Sequence, residues 1–100
     1  MNLNKLMKQA QKMQEQMAKT QAELEGKTVE VSAGGGKVKV TANGAGDVLS
    51  IKIDKEIVDP EDVEFLEEMV LSAVKQAVEQ GKALAQSEIG KITGGLGGLL

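Results

Sequence analysis

The sequence predicts an α+β fold in which each protomer runs α-β-β-β-α, a three-stranded antiparallel meander held between two long helices. Three observations carry this expectation. Residues 3–24 repeat apolar side chains at alternating four- and three-residue spacing, residues 28–53 alternate apolar and polar with glycine turns between the runs, and a long helical period returns after Asp59.

In the first segment Leu6, Ala10, Met13, Met17, Thr20 and Leu24 form a heptad seam, widened at its start by Leu3 and Met7, and Gly26 supplies a stop. Thr28 to Ala33 places Val29, Val31 and Ala33 on one face; Lys37 to Ala42 does the same with Val38, Val40 and Ala42. Gly34-Gly35-Gly36 and Asn43-Gly44-Ala45-Gly46 read as the hairpin connections, and Val48 to Ile53 sends Leu49, Ile51 and Ile53 inward. The second helix is expected to open with Asp59 as N-cap, Pro60 at the first helical position and Val58 against Val63 as a hydrophobic staple. Its apolar stripe runs from Val63 through Ala73 and Ala77 to Leu84 and Ala85, with Gly81 on the stripe as a mark of close packing or a weak point. Residues 1–93 are read as a single domain and 94–100 as a glycine-rich flexible tail.

Composition narrows the function. Cys, His, Arg, Trp and Tyr are absent and Phe65 is the sole aromatic residue. That removes the thiolate, the commonest general base and the commonest metal ligands, so no catalytic site, metal site, cofactor or small-molecule substrate is expected. The polar amino terminus and the lack of a long apolar run predict a cytoplasmic protein without a membrane partner. Gly34-Gly35-Gly36-Lys37 lacks the spacing and the following helix of a phosphate-binding loop, and the acids from Asp54 to Asp62 fit no calcium loop.

The net charge of −3 is uneven: residues 1–27 hold five lysines against three acids, residues 59–100 three against eight. Lys5, Lys8, Lys12 and Lys19 lie on one face of the first helix, opposite its seam and interrupted by Glu15. Such a stripe runs about 21 Å, enough to meet several phosphates, although charged outer faces of amphipathic helices commonly only dissolve the helix. Length points to self-association. Strands of about 20 Å cannot cover helices of about 33 and 45 Å, and an open meander leaves two edges to pair. A homodimer joining its sheets resolves both problems, with Leu6, Met13, Val38, Val40, Leu49 and Ile51 as the expected interface; the alternative is a monomer whose helices fold back on each other.

The run from Gly34 to Asp54, GGGKVKVTANGAGDVLSIKID, resembles the bacterial YbaB/EbfC family of nucleoid-associated proteins. Met7 to Gln14 and the Leu66-Glu67-Glu68-Met69-Val70 segment with Ala73 and Ala77 extend the resemblance over nearly the whole chain. Two departures are Lys75-Gln76, where relatives often carry an Asn, and a tail lacking the family's Pro and terminal Phe. The resemblance implies a tweezer-shaped homodimer that binds double-stranded DNA in the nucleoid and serves nucleoid organisation or gene regulation. A coiled-coil chaperone or adaptor, clasping a protein between helical arms with Met7, Met13 and Met17, is the competing expectation.

Overall fold

The computed structural model describes residues 2–97. Helix α1 spans Leu3–Glu25, strands β1, β2 and β3 span Thr28–Ala33, Val38–Asn43 and Val48–Ile53, and helix α2 spans Val63–Gly97, with a short 3-10 turn at Lys55–Ile57. The strands form an antiparallel meander in the order β1-β2-β3, as the alternation predicts.

Local chemistry sets the boundaries. Asn2 caps α1 by accepting from the Lys5 N–H at 3.4 Å, and Gly26 ends it in a right-handed conformation. Gly34, Gly35 and Gly36 all take positive φ, between 62° and 88°. Three successive left-handed residues admit little but glycine, so this run is turn chemistry.

The start of α2 differs from expectation. Asp59 is not its N-cap: its side chain accepts from the Glu61 N–H and its carbonyl from the Asp62 N–H, both at 3.0 Å, closing a turn around Pro60. Asp62 caps the helix instead, accepting from the Phe65 N–H at 3.3 Å. The fixed φ of proline suits the second position of a β-turn as well as the first turn of a helix, so the same residues signal either. With the cap at Asp62, Val58 and Val63 are not at the staple positions, and both stay about half exposed. At the other end α2 stays helical through Gly97, past the point where glycine content suggests departure. Elongating a formed helix adds one hydrogen bond per residue, which offsets part of the glycine penalty. Residues 98–100 of the expected tail lie outside the described residues.

One stripe of α2 organises everything else. Ala73, Ala77 and Gly81 are buried against the sheet, where Val31, Val38, Val40 and Ala42 complete the core. Farther along, Ala85 and Ile89 share a cleft with Gln21 and Leu24 of α1, and Ile92 shares one with Gln16 and Thr20. Lower numbers on α1 thus meet higher numbers on α2, and the helices are antiparallel. Because the same face of α2 meets first the sheet and then α1, sheet and α1 lie end to end in a single layer under the long helix. The result is a rod with extents of 70 × 20 × 17 Å.

Small residues permit the close approach. A Cβ built on Gly81 would strike the Asn43 carbonyl oxygen, and one on Gly44 would come within 2.6 Å of the Leu24 side chain. Gly81 therefore marks packing rather than weakness. The Gly81→Ala variant should lose stability by about 1–3 kcal/mol despite its better helix propensity, because the obstacle is backbone and cannot swing aside. Thermal denaturation measures it; an unchanged or raised melting temperature would contradict the packing described.

Candidate nucleic-acid interface

Lys5, Lys8, Lys12 and Lys19 are all exposed on α1. None takes part in an ion pair among the described residues. Lys12, Glu15, Gln16 and Lys19 line a shallow depression on the helix, while Lys19 also borders the groove between the helices with Glu23, Glu88 and Lys91.

The tertiary arrangement sorts charge more sharply than the linear sequence does. The two-helix arm, residues 1–27 with 82–97, carries seven lysines against four acids, a net +3. The base, residues 28–81, carries five lysines against eleven acids, a net −6. Lys82 on α2 belongs to the arm and is exposed. A window of sequence hides it among the acids of α2; counting by spatial unit exposes it.

Within the arm Glu88 is a tie point. It accepts from the Lys27 ammonium at 3.2 Å and from Lys91 at 3.3 Å. These two hydrogen bonds, Lys27 foremost, hold its carboxyl below the usual glutamate range. In the base, Lys37 bonds Glu56 at 2.6 Å and Asp54 at 3.5 Å. Its pKa is raised, first by Glu56 and then by the charge of Asp54. Asp54 is lowered chiefly by the Glu56 backbone N–H, with Lys37 contributing.

The residues expected at a dimer interface divide. Val38 and Val40 are fully buried beneath α2 in their own protomer and offer no side chain to a partner. They sit on the central strand, on the face α2 covers, and the period-two alternation that marks an apolar face does not say what covers it. Leu49 and Ile51 do not point into a closed core: α2 lies over β1 and β2, leaving all of β3 exposed. Beside β3, an apolar groove is lined by Ile53, Leu66, Val70, Leu71 and Val74, with Glu67 at its side. Met13 is half buried and Leu6 remains 45% exposed. The seam is thus partly covered within the protomer, where α1 folds back on α2, and open toward its amino end at Leu3, Leu6 and Met7.

A model of the YbaB/EbfC DNA-binding family matches residues 1–96. The chain belongs to that family. A nucleoid-associated protein of Ruminiclostridium cellulolyticum is 55% identical over 98% of this chain and 85% of its own length. One from Acetivibrio thermocellus is 53% identical over 98% and 87%. An uncharacterized protein from Helicobacter pylori shares the fold, with a TM-score of 0.77 and 21% identity over 87% of this chain and 91% of its own. YbaB/EbfC proteins are a DNA-binding family, not an enzyme family. Among the described residues no cluster of His, Cys, Asp or Glu could hold a metal ion, and no helix is long and apolar enough to cross a membrane.

The Glu88 tie carries a pH signature. A carboxylate whose folded pKa is depressed contributes stability above its unfolded pKa and loses it as pH falls through the folded value. Wild type should therefore melt above Glu88→Gln at neutral pH, and the gap should close as pH drops below the ordinary glutamate range. A gap independent of pH would show that Glu88 holds the arm by packing alone.

Proposed function

We propose that this YbaB/EbfC member is a non-enzymatic homodimer that holds duplex DNA by its phosphate backbone, in the nucleoid, with a role in nucleoid organisation or gene regulation. The observation that carries the reading is the separation of charge, +3 on the arm against −6 on the base. Repulsion of DNA by the acidic base is screened beyond about 8 Å at physiological salt, so the arm, with Lys5, Lys8, Lys12 and Lys19, engages phosphates on its own terms. Without Arg the usual reader of guanine is missing, and sequence preference is slight.

The second copy fits the bare side of β3. Leu49, Ile51 and Ile53 are between 41% and 52% exposed, and the adjoining groove between β3 and α2 is apolar. Burying this surface against its equal removes apolar area from water on both protomers and covers the free edge of the sheet. Two arms then project from one joined base.

The exposed Leu3, Leu6 and Met7 favour a second reading, in which the arms clasp a protein partner. Salt separates the two, because phosphate binding weakens steeply with ionic strength and apolar clasping does not. In mobility shifts with unrelated duplexes, Lys5→Gln/Lys8→Gln/Lys12→Gln should weaken binding to all alike. The log–log salt slope should fall by about 0.9 for each phosphate that is no longer neutralised. Equal affinity and slope in the triple variant would place the DNA elsewhere. For the dimer, sedimentation at micromolar concentration should give twice the chain mass, and Ile51→Asp should return the protomer mass. A wild-type protomer mass would remove the dimer from the proposal.

A further inference from the structure

The sheet has a second face, and its chemistry is unlike that of the acidic base around it. Pairing places Lys39 directly opposite Lys52 across β2 and β3, with Ser32 opposite Lys39 on β1. One step along, Glu30, Thr41 and Ser50 form the next cross-strand row. Val38 and Val40 alternate with these residues and are buried under α2, so the two rows look away from the helix. Helix α1 touches the sheet only at its end, and Ser32, Lys39, Ser50 and Lys52 are all exposed.

Like charges directly opposite on a sheet are destabilising. The base holds eleven acids, yet neither Lys39 nor Lys52 is ion-paired among the described residues, whereas neighbouring Lys37 has two carboxylate partners. Stability alone would favour a glutamate at one of the two positions. The face also presents the hydroxyls of Ser32, Thr41 and Ser50, which can donate to phosphate oxygens.

The layer arrangement decides what this surface faces. Sheet and α1 both lie under the same stripe of α2, so their sides turned away from α2 look in the same direction. Helical spacing turns Lys8 and Lys12 away from the half-buried seam of α1, so exposed Lys39 and Lys52 continue the surface on which they stand.

We infer that the outer face of the sheet, through Lys39 and Lys52 with the hydroxyls of Ser32, Thr41 and Ser50, is a second phosphate-binding surface that receives duplex DNA running off the helical arm. This rests on the DNA-binding reading above and adds to it a binding surface on the base. The base is acidic overall; on this face stand Glu30 and, in the row beyond Lys39 and Lys52, Asp54, whose charge and that of Glu56 meet the ammonium of Lys37 and leave Lys39 and Lys52 uncompensated.

The test compares the full-length Lys39→Gln/Lys52→Gln variant with the triple α1 variant and wild type, using unrelated duplexes over a range of salt. The double variant should bind all duplexes more weakly and lower the log–log slope by up to about 1.8 for each protomer engaged, at about 0.9 per phosphate. Its melting temperature should equal or exceed that of wild type, since an opposed pair of like charges is gone. Lys39→Glu, which sets a carboxylate across from Lys52, should melt no lower than wild type and bind DNA more weakly. A wild-type slope in the double variant, beside a lowered slope in the triple variant, would overturn the role of the sheet and leave the arm reading standing. Failure of wild type itself to retard any duplex at low salt would overturn both.

Discussion

The arrangement of the whole molecule depends on the junction around Asn43. This side chain is buried, only 3% exposed, and both its amide nitrogen and its oxygen are engaged. The amide donates to the Glu25 carbonyl at 3.2 Å, and Oδ1 accepts from the backbone N–H groups of Ala45 and Asp47 at 3.0 and 2.9 Å. One side chain thereby fastens the end of α1 to the turn between β2 and β3. The Gly44 N–H adds bonds to the carbonyls of Leu24 and Lys27, while Gly81 lets α2 press against the Asn43 backbone. A buried donor or acceptor left unmet would cost about 1–3 kcal/mol, so the three elements meet in one geometry.

From that junction follows the single layer of sheet and α1 beneath α2, and from the layer follows the electrostatics. Fastening α1 end to end with the sheet, rather than across it, leaves the outer face of the sheet open. It also gathers the lysines of α1 with Lys82 and Lys91 of α2. An acidic chain thus acquires a cationic limb without becoming basic overall. The acids collect where β3, the Pro60 turn and the first turns of α2 come together, away from that limb. At physiological ionic strength such separation matters more than net charge, since fields between exposed groups fade within about a Debye length.

The limits of α2 over the sheet are equally consequential. By covering β1 and β2 alone, the helix closes a core of small and β-branched residues and leaves Leu49, Ile51 and Ile53 half in water. A lone protomer keeps an apolar flank it cannot bury with its own elements.

The element order, the meander, the glycine turns and the amphipathic first helix are all legible in the linear sequence, because periodicities of 2 and 3.6 and glycine at positive φ are local properties. So is the lysine stripe, which needs only helical geometry. The cap of α2 is not legible in the same way: Asp59-Pro60 carries the chemistry of a turn and of a helix start alike, and only the bonds actually made choose between them. Partners chosen through space are a different matter. Alternation marks Val38, Val40, Leu49 and Ile51 equally as apolar, yet the path of α2 buries the first two and bares the others. Asn43 reads as a turn residue until α1 and α2 are brought to it. The unmatched lysines of β2 and β3 come face to face only through register. Sequence by itself determined the elements and the turns that join them; tertiary structure decided which faces they spend on one another, because burial depends on contacts between residues that local pattern does not relate.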